Sequence, residues 1–307
     1  MKDYVKNSSN MEGEGKRNMI PLGNETTSYQ AAAQNRHEAF SLPNTQQFLL
    51  HSEAKERPYR ILVATPTQEA PPLGFPVIYL LDANALFGTI VEAMRVQGRR
   101  SEKTGVYPAI IVGIGYPTDE PFDDSRYYDF TMPTSDEVLQ TLPVRNKDHV
   151  WPKLGGAEDF RAFIEQELKP RIERDYPIDR NAQALFGHSL GGLFVLQTLL
   201  TKPHSFQSYV AGSPSIHWNK ELLRQQEEQF PSLLQQNTSK IGLLITVGEL
   251  EGSHPSGMNS NAREFYDRFS LLSKEELHVV YHEFEGEGHV SVLPALVSRM
   301  LRFVLRR

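Results

Sequence analysis

The sequence predicts an α/β fold: a mostly parallel central sheet, opened by an antiparallel hairpin and covered by helices on both faces. Three observations point there. Six apolar runs of strand length lack polar alternation, as strands buried on both faces require. Helical periods lie between these runs, the order that builds a parallel sheet with crossover helices. Ahead of them, "TQQFLLHSEAKERPYRILVATP" (45–66) reads as two extended segments joined by a charged connection.

Taken along the chain, residues 1–43 are polar and without sustained period, and are expected to be a loose arm. Residues 44–307 are expected to be one catalytic domain. After the hairpin and the Pro/Gly punctuation of "PPLGFP", the strand runs are "PVIYLL" (76–81), "AIIVGIG" (109–115), "QALFGHS" (183–189), "SYVAGSP" (208–214), "IGLLITVG" (241–248) and "LHVVYHEF" (277–284). The clearest helical periods cover 157–176, 190–201, 258–273 and 293–307. Residues 116–155 show no convincing regular element, and an insertion of about forty residues in a compact domain usually carries function. It is rich in aromatics and follows the carboxyl end of a strand, where open α/β sheets bind ligands. The expectation is a wall of the substrate site.

Composition excludes several classes. The net charge of −6 lacks the basic excess that a nucleic-acid surface needs. No apolar run approaches the roughly 18 residues of a membrane span, and the first twenty residues lack the apolar stretch of a secretory signal. The chain has no cysteine, which removes thiolate chemistry, disulfides and Cys-ligated metals. "HEFEG" (282–286) lacks the second histidine of a zinc motif, and "GEGK" (13–16) is too short for a phosphate loop. A cytoplasmic protein acting on a small molecule, without cofactor or metal, is expected.

One stretch points to chemistry. Gly187-His188-Ser189-Leu190-Gly191 matches G-x-S-x-G, between a strand run and an apolar helix. A serine on so sharp a strand-to-helix turn needs nearly side-chain-free neighbours two positions away, and the helix after it aims N–H groups at the reaction centre. A serine hydroxyl needs a base, expected later in the chain after an acid. Of the ten histidines, His37 falls in the arm, His51 before the sheet, His204 in a loop, and His278 and His282 within the last strand. His289 sits in "EFEGEGHVSVLP", just past that strand and before the final helix, and is the expected base. The acid should follow "LLITVG" (243–248); Glu251 is favoured, with Glu249 next and Glu283 and Glu285 as further alternatives, or no acid at all. Oxyanion donors are expected from the main chain of Leu190 and of Asn84, after "VIYLLD" (77–82). Asp82 reads as a structural cap.

Together "YLLDANALF", "IIVGIGYP", "SRYYDFTMP", "LFGHSLGGLF", "VAGSPSIHWN" and "GEGH" resemble the α/β-hydrolase esterases that open catecholate siderophore trilactones of the enterobactin and bacillibactin type, within the esterase D-like group. "VGIGYP" followed by "RYYDFT" is the most specific part, and the resemblance spans residues 45–307. It implies an α/β-hydrolase fold, a catalytic pair at Ser189 and His289, and an acid near Glu251, where glutamate instead of aspartate departs from the wider group. The implied substrate is a siderophore ester whose opening releases iron. Its ferric form is anionic and aromatic, so Arg126, beside Tyr127 and Tyr128, and Trp218, beside His217, are the expected contacts. The cluster Arg95, Arg99, Arg100 and Lys103 falls at the far end of the preceding helix and is read as a helix C-terminus. The alternatives are a general carboxylesterase, thioesterase or acyltransferase, and a binding protein on an inactive scaffold.

Overall fold

The computed structural model describes residues 40–53, 57–142, 150–235, 240–272 and 276–306. Most of the expected arm, with His37 and the "GEGK" stretch, lies outside them. The hairpin forms as β1 (Thr45–His51) and β2 (Pro58–Ala64), pairing Phe48 with Ile61 and Leu50 with Tyr59. Next come β3 (Phe75–Leu80), β4 (Ile110–Gly115), β5 (Ile178–His188), β6 (Ser208–Gly212), β7 (Ile241–Gly248) and β8 (Leu277–Phe284). They make one eight-stranded sheet in the order β1-β2-β4-β3-β5-β6-β7-β8, antiparallel from β1 to β4 and parallel across the rest. The α/β-hydrolase fold expected from the sequence is present.

Strand period splits the core in two. Val77, Tyr79 and Leu81 point to one face, and Ile78 and Leu80 to the other. Helices α1 (Ala83–Gln97) and α10 (Val292–Val304) cover the second face through Leu86, Ile90, Leu296 and Met300. The first face is covered by α5 (Ala157–Phe163), α7 (Leu190–Thr201), α8 (Lys220–Leu234) and α9 (Met258–Leu272). The short α2 (Ser101–Thr104) follows the basic end of α1, where Arg95 pairs with Glu92. α7 is apolar all round and buried along almost its whole length, so the turn that begins it has no freedom to drift. Among the described residues, no helix is long and apolar enough to cross a membrane.

Two readings need correction. The period over 157–176 is not one regular helix: α5 passes through a π-helical stretch, Ile164–Leu168, before α6 (Lys169–Asp175). Pro170 lies at the start of α6, where its missing N–H is tolerated. Residues 116–155 do contain regular structure, α3 (Ser125–Phe130) and α4 (Asp136–Thr141), each of only six residues and too short for a period to show.

The segment is anchored from below. Asp129, on α3, has no solvent exposure and accepts from Arg57, from the Tyr59 hydroxyl and from the Tyr116 hydroxyl. These donors come from β2, from the residue before it and from the end of β4, so one carboxylate fastens α3 to the hairpin and the sheet. Burial and this carboxylate together push the Tyr59 and Tyr116 hydroxyls far above their ordinary range, which keeps both as donors. Asp129→Ala leaves Arg57 and two hydroxyls without their acceptor. It should lower stability by about 2 kcal/mol, because two buried hydroxyls lose their acceptor while the partly exposed Arg57 can still reach water; urea denaturation of wild type and variant measures it, and equal midpoints would show the anchor is not needed.

Candidate active site

Ser189 stands where β5 ends and α7 begins, with φ 60° and ψ −117°. An L-residue rarely adopts such a backbone, and of order 1–3 kcal/mol of strain is held there by the surroundings. Ser189 N–H donates to Gly212 O at 2.9 Å, while its carbonyl accepts from Leu193 N–H at 3.0 Å and Ser215 N–H at 3.1 Å. The glycines divide the work unequally. A Cβ at Gly187 would lie 2.3 Å from Gly191 O, and one at Gly192 would lie 2.7 Å from Gly212 O, so both positions exclude a side chain. At Gly191 the nearest atom would be Asp82 Oδ2 at 3.5 Å, an ordinary contact. The second glycine of the motif is therefore not demanded by its own Cβ.

Three of the expected side chains meet in one line. Ser189 Oγ lies 3.0 Å from His289 Nε2, and His289 Nδ1 lies 2.6 Å from Glu251 Oε2. A carboxylate can only accept, so Nδ1 carries the imidazole proton and Nε2 is left to accept from the serine. Glu251 is 3% exposed. Its other oxygen, Oε1, accepts from Ser213 Oγ at 2.6 Å and from Gly248 N–H at 2.7 Å. Burial alone would raise the carboxyl's pKa, but the bonds from His289, Ser213 and Gly248 outweigh it and hold the group below its ordinary range.

The local chain explains why these groups converge. Glu251 lies on a 3-10 turn, Glu249–Ser253, directly after β7. A Cβ on Gly248 would meet Glu287 O at 2.4 Å, so glycine there lets the histidine loop approach the acid turn. Two further bonds lace the turn to that loop, from Leu250 N–H to Glu287 O and from Gly286 N–H to Glu249 Oε2. Glu249 thus fastens the loop instead of facing the imidazole. Glu283 accepts from Tyr281, and Glu285 is exposed. Of the other described histidines, His51 and His204 are exposed, and His278 and His282 lie along β8 against Phe303 and Phe284.

Both residues expected to supply oxyanion donors lie at helix starts. Leu190 is the first residue of α7 and Asn84 the second of α1, so neither N–H has an acceptor within its own helix. β3 and β5 are parallel neighbours, which sets the two turns side by side, and Gly191 lies against Leu81 and Asp82. The Asn84 side chain clamps the exit of β4: its Oδ1 accepts from Tyr116 N–H at 2.8 Å, and its Nδ2 donates to the carbonyls of Tyr116 and Thr118. Residue type alone gives no sign of this clamp, which joins positions 32 and 34 residues apart.

Arg126 and Trp218, the expected ligand contacts, are both buried and already have partners within the fold. Arg126 is 8% exposed and gives both Nε and Nη2 to the Asp82 carboxylate, at 3.0 and 2.9 Å. Asp82 is the N-cap of α1, yet its side chain makes no cap bond. Trp218 is buried edge-on against Trp151, with Tyr127 as a third ring. Aromatic residues here anchor the loop, and the cation is already paired. A cavity of about 340 Å³ lies between α4 and the start of α8, lined by Val138, Leu142, His217, Asn219, Lys220, Glu221, Pro255 and Ser256. A second cavity of about 330 Å³ lies against Met94, Arg95 and Arg99, at the end of α1 remote from Asn84.

Sequence reasoning missed Ser213, Ser215 and His188. Ser213 has φ 40°, a strained turn that aims its hydroxyl at Glu251, and Ser215 Oγ lies 3.3 Å from Ser189 Oγ. Positive φ at a serine leaves no trace in residue types. His188, the x of the motif, lies with its ring 4.6 Å from that of His289. Burial first, then the neighbouring His289, lower its pKa to about 3, so no second cation crowds the His289 ring. His188 stays neutral in the folded chain but takes a proton near 6.5 when unfolded, so its contribution is full above 6.5 and lost as pH falls toward 3. Between pH 7 and pH 5 wild type should lose up to about 2 kcal/mol that a His188→Gln variant retains; parallel pH dependence of their urea midpoints would refute this.

The comparisons agree with the geometry. The Esterase family profile matches residues 52–292. The ferri-bacillibactin esterase BesA of Bacillus subtilis is 56% identical over 267 residues, covering 87% of this chain and 91% of that protein. The siderophore enterobactin esterase of Emericella nidulans is 38% identical over 282 residues, covering 81% and 90%. The crystal structure of the BES protein from Bacillus cereus superposes with a TM-score of 0.82 at 42% identity, covering 87% and 98%. By sequence and by architecture the chain belongs to the Esterase family, as an α/β hydrolase acting on ester bonds.

Proposed function

We propose that this chain, through the domain spanning residues 44–307, is a serine esterase that opens the ester linkages of a siderophore of the catecholate trilactone type. The observation that carries the reading is the unbroken hydrogen-bonded line from Ser189 through His289 to Glu251. Relatives whose names specify ferri-bacillibactin and enterobactin supply the substrate class.

In this reading Ser189 Oγ attacks the ester carbonyl as its proton passes to His289 Nε2. Negative charge develops on the carbonyl oxygen, and the N–H groups of Leu190 and Asn84 receive it. The tetrahedral intermediate collapses, the C–O bond to the leaving alkoxide breaks, and His289 returns the proton to that oxygen. Water then attacks the acyl-serine as the same imidazole takes its proton; the bond from the acyl carbon to Ser189 Oγ breaks, His289 returns the proton to that oxygen, and the acid leaves, ionising in water. Glu251 remains ionised throughout, holding the Nδ1–H tautomer and stabilising the transient imidazolium. Ser213 and Gly248 keep it from rotating away.

Ser189→Ala should reduce kcat on enterobactin and bacillibactin by about 10⁶-fold with the fold intact. Product analysis with and without iron reads this; turnover of short p-nitrophenyl esters but of neither trilactone would favour a general esterase, and near-normal turnover by the variant would remove Ser189 from the mechanism. Glu251→Gln keeps the shape but removes the charge that orients the imidazole, and should lower kcat by about 10⁴-fold with a far smaller change in KM. A loss below tenfold would reduce the machinery to Ser189 and His289.

A further inference from the structure

The short segment after β6 delivers two hydroxyls to the catalytic line. Ser213 gives its hydroxyl to Glu251, at the acid end. Two residues on, Ser215 Oγ lies 3.3 Å from Ser189 Oγ, at the nucleophile end. Ser215 is 5% exposed, and among the described residues its hydroxyl has no partner other than Ser189. The main chain holds it there. Ser215 N–H donates to Ser189 O at 3.1 Å, Ser213 N–H donates to Thr246 O at 2.7 Å, and Ser215 O accepts from Trp218 N–H at 3.0 Å. Pro214, between the two serines, has its φ fixed by its ring. It packs so closely on α7 that a Cβ on Gly192 would come within 3.1 Å of its Cα.

The protons decide the direction of the contact. A serine hydroxyl has one proton to give and lone pairs with which to accept. Ser189 directs its proton to His289 Nε2, the nitrogen left bare when Nδ1–H faces Glu251. Towards Ser215, Ser189 Oγ can then only accept, and Ser215 is the donor.

The strength of that bond changes along the reaction. As a free hydroxyl and during attack, Ser189 Oγ is a good acceptor, so the bond contributes about equally before and at the acylation barrier. In the acyl-enzyme the lone pair of Oγ is drawn into the ester carbonyl, and the oxygen accepts poorly. Addition of water ends that delocalisation. Breakdown then returns the electron pair of the acyl C–O bond to Oγ, and the Ser215 hydroxyl meets growing negative charge while His289 Nε2–H supplies the proton. A bond that strengthens on the way to the transition state raises the rate of that step.

We propose that Ser215 is a catalytic residue of the second half-reaction: its hydroxyl donates to Ser189 Oγ as that oxygen leaves the acyl carbon, and so speeds deacylation without changing acylation. This rests on the hydrolase reading above.

The test uses p-nitrophenyl acetate, whose phenolate leaves easily, so that deacylation limits turnover. First-turnover release of p-nitrophenolate in a stopped flow reads acylation. Decay of the acetyl-enzyme after removal of excess ester, followed by intact mass, reads deacylation. Wild-type turnover, abolished by Ser189→Ala, comes first; its absence would sink the hydrolase reading itself and this proposal with it. Given that activity, Ser215→Ala should slow deacylation about tenfold, the size of one neutral hydrogen bond, and leave acylation within about twofold of wild type. Then kcat and KM fall together while kcat/KM holds. An unchanged deacylation constant, or a fall in acylation as large as that in deacylation, overturns the proposal; the second outcome would make Ser215 a support of the serine turn alone. Should the alanine variant fail to fold, Ser215→Gly removes the same hydroxyl without adding an atom, and the same two constants decide.

Discussion

The arrangement depends on one buried carboxylate. Glu251 joins the exits of three neighbouring strands: Ser213 just past β6, Gly248 at the end of β7, and His289 beyond β8. A charge so buried survives only if its lone pairs are satisfied, and here three donors reach it. Satisfying the charge and aiming the imidazole are therefore a single act of packing. The strained turn at Ser213 and the side-chain-free approach at Gly248 are tolerated because each delivers a donor to that carboxylate.

Much of this was legible in residue types. The continuous apolar runs gave the strands, since burial on both faces leaves no polar alternation to confuse them. Ser189 and His289 could be placed by their neighbours: glycines where backbones must approach, and a loop between the last strand and helix. Glu251 was favoured by its distance from the end of β7, but only coordinates separate it from Glu249, which lies two residues away and faces the other side of the same turn. Chain distance does not encode which way a side chain leaves a 3-10 turn.

Burial is what residue types conceal most. From the sequence Arg126 and Trp218 are expected as ligand contacts, but Arg126 lies on a helix of six residues and Trp218 on the short 3-10 turn Ile216–Trp218, and both are buried. Helices of six residues are too short to declare a period, so the burial they impose was invisible. Once α3 is anchored through Asp129, Arg126 must point inward, and a buried guanidinium needs a carboxylate. Pairing over such sequence distances is a tertiary property. The same holds for His188, whose neutrality comes from neighbours in space.

Ser189 and His289 are separated by 100 residues, and the strand that leads to the imidazole, β8, lies at the sheet's edge and pairs with β7 alone. The nucleophile's own turn sits mid-sheet, between β3, made before it, and β6, made soon after it. During synthesis from the N-terminus, the β3–β5 layer and its strained serine can assemble while the imidazole is still untranslated. Until residue 289 has been made, the Ser189 hydroxyl has no imidazole beside it. In the proposed mechanism reactivity is therefore acquired late, because a chain that stops before β8 lacks the imidazole that would take the proton from Ser189.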